Sequence, residues 1–143
     1  MLQWTFSDFF EALGELDWLA LIVAALALMV LGWLWYGPLF GKAWAKATGQ
    51  SMGSGMPEPA KLLATFIYSF TFSGGLAYTL MIADDIEHAL VFGGLIVGLL
   101  IIGSVMYSAV VWSNNYKLNQ WMIDVLYWIV AGAVSIYVQG LMA

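Results

Sequence analysis

The sequence predicts an all-α polytopic membrane protein, with four antiparallel transmembrane helices and short amphipathic helices at the interface. Three observations predict it. Charged residues make up 9% of the chain, against about 25% in a soluble domain, too few to cover its own surface in water. The apolar residues, 63% of the total, gather in blocks long enough to cross a hydrocarbon core of about 30 Å at 1.5 Å per residue. These blocks do not alternate apolar with polar and run to about twice the length of a barrel strand, so strands are disfavoured. Residues 1–143 form a single membrane domain on this reading.

The elements follow in chain order. Residues 5–16, within "TFSDFFEALGEL", form an interfacial amphipathic helix. Thr5 and Asp8 stand three apart as in a capping box, and Phe6, Phe9, Phe10, Leu13 and Leu16 recur at helical spacing. The acidic character of this segment is unlike a signal peptide, so no cleavable signal is expected. The first span, 18–36, reads "WLALIVAALALMVLGWLWY" and is uncharged. Trp33, Trp35 and Tyr36 mark its end as an aromatic belt, and Pro38 is expected to terminate it. The loop 37–61 holds good helix formers after Pro38 and a stop signal at Gly49, predicting a short helix on the membrane face. A Gly/Ser/Pro-rich turn region follows. The remaining spans are 62–83, 89–112 and 121–143. The last of them contains one acid, Asp124.

Charge sets the orientation. The chain has nine acids, four lysines and no arginine, a formal net charge of −5. Lys42, Lys46 and Lys61 fall in the first loop and Lys117 in the third, whereas Asp8, Glu11, Glu15, Asp17, Asp84, Asp85 and Glu87 lie on or near the other side. The positive-inside bias then makes loops 1 and 3 cytoplasmic and both termini non-cytoplasmic in an inner (plasma) membrane. An acidic chain without arginine has no electrostatic footprint for nucleic acid. With no cysteine, disulfides, thiolate catalysis and cysteine-ligated metals are excluded.

The stretch "GWLWYGPLFGKAWAKATG" resembles the signature of a family of small bacterial integral membrane proteins of unknown function. Its members have four predicted spans and a W-Y-[SG]-P motif running into F-G-K-x-W after the first. Trp35, Tyr36, Pro38, Phe40, Gly41, Lys42, Trp44, Lys46 and Gly49 fall in place, and Asp124 is similar to a family feature as well. The resemblance implies the four-span fold and brings no activity with it.

Candidate sites gather on the cytoplasmic side. Tyr36, Lys42 and Trp44 of the first loop, Asn114 and Asn115 of the third, and Asp124 about one turn into the last helix are expected at one membrane level, as a binding cluster. An ionised carboxylate within a span is costly, so Asp124 should face the interior and find a donor: Lys42, Lys117, an Asn or a Tyr hydroxyl. It serves either as a structural lock or as a proton or cation site. "DDIEHA" holds the only histidine, His88. With Asp84 and Glu87 it falls short of the three or four fixed ligands of a zinc site, and no metal is expected. Gly94 and Gly98 form G-x-x-x-G, and Ser69 and Ser73 (with Ala77) share a face. Ala131 and Ser135 repeat the spacing in the last span. Such faces pack helices closely in lipid, within one chain or between copies. "SGG" at 73–75 is also a place where the second span could break. No nucleophile–base pair, phosphate loop or HExxH motif appears, so neither an enzyme nor a cofactor is expected.

Three functions are compatible with this pattern. The first is a structural or accessory subunit acting by helix–helix association, as a homo-oligomer or within a larger membrane complex. The second is a small dimeric proton- or cation-coupled transporter or channel using Asp124. It is comparable in size to four-span multidrug exporters, but those carry an acid in their first helix and this chain has none there. The third is a lipid-interacting protein using the aromatic and lysine cluster.

Overall fold

The structure, a computed structural model, describes residues 6–49, 57–82, 94–112 and 117–142. It is all-helical, with no strand among the described residues. Helix α1 spans Phe6–Gly14; Thr5, half of the expected capping box, lies outside the described residues. Helix α2 spans Trp18–Leu34 and opens on Asp17, whose carboxylate accepts the backbone N–H of Ala20 at 3.0 Å. That bond satisfies one of the free donors of the first turn. Helix α3 spans Gly41–Thr48 and ends at Gly49, which has φ +70°, a left-handed conformation that glycine adopts without a Cβ clash.

The join between α2 and α3 differs from expectation. Pro38 does not end the helix. Residues Trp35–Leu39 form a π turn with Pro38 inside it. The bond that defines the turn runs from the N–H of Phe40 to the carbonyl of Trp35 at 2.8 Å, five residues back instead of four. Proline is excluded from α-helix interiors because its ring meets the carbonyl four residues earlier. The widened turn relieves that clash, and the helical path continues into α3.

Helix α4 spans Pro59–Ile82, α5 Gly94–Trp112 and α6 Leu118–Met142. Pro59 occupies the first position of α4, where a missing N–H costs nothing. The helix then runs unbroken through Ser73, Gly74 and Gly75, so the expected weak point is regular helix. Helix α6 begins three residues before the expected span, which brings Gln120 into the helix. Helix α2 packs against α4 and α6, α5 packs against the same two, α4 touches α6, α3 lies on α6 and α1 on α4. Tyr36 meets Asp124 while Leu28 meets Tyr127, so α2 and α6 run antiparallel. Tyr68 meets Trp128 while Ser73 meets Ser135, so α4 and α6 run parallel.

Among the described residues, two helical stretches are long and apolar enough to cross a membrane: Trp18–Leu39, with 22 residues, and Leu118–Met142, with 25. Helix α4 is of similar length, 24 residues, but Thr65, Ser69, Thr71, Ser73 and Thr79 dilute its apolar character. Three of these threonines return their hydroxyl hydrogen to the carbonyl one turn back, on Lys61, Ile67 and Gly75. The helix thereby satisfies its own threonine hydroxyls.

The distribution of residues is inverted relative to a water-soluble protein. Leu19, Ile22, Leu26, Val30 and Trp33 of α2 are exposed at helical spacing, as are Leu99, Ile102, Met106 and Val110 of α5, the last 83% exposed. Ser69, Ser73, Thr79, Gln120, Asp124 and Ser135 are buried. The apolar core is Leu28, Trp35, Phe72, Leu76, Tyr127, Trp128 and Ala131.

Candidate functional site at the start of the last helix

Helix α6 carries a polar row on its inward face. Gln120 and Asp124 stand four residues apart, as do Ser135 and Gln139 about three turns further on, with Tyr127, Trp128 and Ala131 between. Side chains four apart share a helix face, so one helix presents both the carboxylate and the hydroxyl–amide pair to its neighbours.

Asp124 is 1% exposed. The phenol of Tyr36, in the π turn, donates to Asp124 Oδ1 at 2.7 Å. One residue earlier on each strand of the contact, the indole N–H of Trp35 donates to the carbonyl of Ile123 at 3.3 Å. In a regular α-helix neighbouring side chains diverge by about 100°. The π turn brings two consecutive aromatics onto one partner helix. Helix α3 then returns Trp44 against Tyr36, with ring centroids 5.7 Å apart in an edge-on arrangement, and Tyr127 closes the other side at 5.2 Å. The hydroxyl of Tyr127 donates to the carbonyl of Leu28 at 2.8 Å. A Cβ on Gly32 would stand 3.2 Å from that hydroxyl, so the glycine keeps the approach open.

The aromatic contacts continue inward. Trp128 meets Tyr127, Tyr68 and Phe72 at about 5 Å. Tyr68 stacks on Tyr107 at 4.7 Å and 9°, and the Tyr107 hydroxyl is hydrogen-bonded to Thr65 Oγ1. Beyond this layer Ser135 Oγ donates to Ser73 Oγ at 2.8 Å, and Gln139 Nε2 donates to Ser135 Oγ at 3.0 Å. Two buried groups in the aromatic layer, Ser69 Oγ and Trp128 Nε1, have no hydrogen-bond partner in the structure.

Of the residues expected to form a cluster, the structure brings together Tyr36, Trp44 and Asp124. Lys42 is exposed. Asn114 and Asn115 lie outside the described residues, as do Asp84, Glu87 and His88. Among the described residues no group of three His, Cys, Asp or Glu side chains could hold a metal. Of the packing residues, Ser69 and Ser73 are fully buried, but Gly98 faces open space. The glycine that a neighbour does approach on α5 is Gly103, where a Cβ would stand 3.0 Å from the Tyr68 hydroxyl. Trp35, Tyr127 and Gln120 were not picked out as interior polar groups from the sequence. The four-residue recurrence from Gln120 through Asp124 to Trp128 was a signal for Gln120 alone; no such spacing marks Trp35 or Tyr127.

Chemically, a carboxylate held by a phenol and sealed from solvent is a clamp between helices, and also a group that can take up a proton at a fixed position. No curated protein matches the chain, nor does any solved structure. A family model does match, over residues 19–140, which takes in the π turn, the clamp, all of α3–α5 and α2 from its second residue on. The chain therefore belongs to the family described as Protein of unknown function (DUF1761).

Proposed function

We propose that the chain is a four-span integral protein of a bacterial inner membrane, and that it serves as a structural or accessory subunit through helix–helix association. The inverted distribution of residues supports the membrane setting: side chains that water would force inward face outward, and hydroxyls, an amide and a carboxylate are inside. Helices α4 and α5, at about 36 and 28 Å by the 1.5 Å rise, reach across a hydrocarbon core alongside α2 and α6. The lysines at 42, 46, 61 and 117 favour loops 1 and 3 in the cytoplasm with both termini outside.

The observation that carries the accessory role is the Tyr36–Asp124 bond. The one acid within an expected span is engaged in holding α2 to α6. The exposed apolar face of α5, with Gly98 open on its surface, is suited to close approach by a second helix, from another copy or a larger complex. The deciding experiment is Asp124→Asn in reconstituted vesicles, with unfolding and proton-linked flux both measured. Loss of stability without any flux in the parent protein supports the accessory role.

A second reading, a proton- or cation-coupled transporter, draws on the polar row of α6 that runs inward from Asp124. It predicts flux in the parent protein that Asp124→Asn abolishes while the fold is kept.

A further inference from the structure

Two of the four lysines, Lys46 and Lys117, converge on one cleft. Between α3 and α6 the surface is indented by a volume of about 520 Å³. Lys46 of α3 and Lys117 at the start of α6 stand on its walls with Asn119, and Met122, Ile123 and Leu126 form its apolar side. Half of the lysines in a chain of net charge −5 therefore border one hollow, and no acid is among the described residues that line it. From its apolar side an exposed track, Met122, Leu126 and Ile129, runs down the outer face of α6 at helical spacing. It covers about 10 Å from first residue to last by the helix rise.

We propose that this cleft binds an anionic phospholipid of the inner leaflet. Its headgroup phosphate lies between Lys46 and Lys117, with Asn119 as a further donor, and one acyl chain follows Met122, Leu126 and Ile129. Each part of the hollow matches a part of that ligand. Ammonium groups pair with phosphate as point charges, and the apolar track continues directly from the polar end. A soluble phosphate would leave the track unused, and an acyl chain without an anionic head would leave both lysines unpaired. The inference rests on the membrane reading above and makes it more specific. Because Lys46 and Lys117 come from different elements, the bound headgroup bridges α3 to α6 beside the Tyr36–Asp124 clamp.

Native mass spectrometry of the detergent-solubilised protein with added dioleoyl phosphatidylglycerol or dioleoyl phosphatidylcholine tests this. Retention of phosphatidylglycerol should exceed that of phosphatidylcholine. Lys46→Ala and Lys117→Ala should each lower it about five-fold, the effect of about 1 kcal/mol per lysine near an anionic surface. Lys→Arg at either position should largely restore it, and Lys61→Ala, outside the cleft, should leave it unchanged. Equal retention of the two lipids, or a loss with Lys61→Ala as large as with the cleft variants, overturns the proposal. Membrane insertion is read separately by alkaline extraction of cell membranes. Release of the protein there overturns the membrane reading, whereas an alkali-resistant protein without lipid preference overturns the cleft alone.

Discussion

Helix α6 is held to its neighbours in two places, and the two differ in kind. Near its start a carboxylate is tied to a phenol, with Trp35, Trp44 and Tyr127 packed around the pair. About three turns further on, Ser135, Ser73 and Gln139 form a neutral network. A neutral hydroxyl left unpaired loses about one hydrogen bond. A carboxylate left unpaired also retains its full desolvation penalty. The costly group therefore sits where aromatic side chains from two elements enclose it and a short helix covers it. The inexpensive groups sit between α4 and α6, tied only to one another.

The sharpest way to break this contrast is Tyr36→Phe. It removes one donor to the carboxylate and leaves the ring packing, so the expected loss is about 1.5–3 kcal/mol, as for hydrogen bonds to charged groups. Denaturant titration in micelles measures it, and a loss no greater than for a serine variant would erase the distinction. Gly103→Ala tests whether the aromatic layer between the two ties is rigid. The new Cβ meets Tyr68, which is held by Tyr107 and Trp128, and overpacking should cost about 1–2 kcal/mol by the same titration. Ser135→Ala should cost about 0.6–1 kcal/mol, the usual scale for interhelical hydrogen bonds in membranes. Combined with Tyr36→Phe it should be additive within about 0.5 kcal/mol, because the ties share no partner. Smallest of all, Gly98→Ala should leave the stability of the single chain unchanged, since its Cβ enters open space. A drop in cross-linked dimer yield with that variant would place the face between copies.

The fold was legible in the sequence where composition is one-sided. The uncharged run through Leu19–Trp33 fixed α2, and Gly49 fixed the end of α3, because no other residue type suits those positions as well. Asp124 was legible for the same reason: an acid in an apolar run has to find a donor, and a tyrosine hydroxyl was among the candidates. The π turn was not legible. Proline is a strong stop signal on average, and only the tertiary pull of Trp35 and Tyr36 on α6 favours carrying the helix past it. Gly98 left its partner open for a related reason: G-x-x-x-G marks a face that backbones can approach, but it does not say whether the approaching helix belongs to the same chain. Ser135 was read as part of a packing face, but Gln139 was hidden because a glutamine near a helix end reads equally well as surface polarity.

The π turn has a mechanical consequence. Two adjacent residues of one helix grip two adjacent residues of another, Trp35 on Ile123 and Tyr36 on Asp124, which works like a key with two teeth. A slide of α2 along α6 by a single helical pitch, about 5.4 Å, would disengage both teeth together. Both bonds therefore oppose such a slide at once.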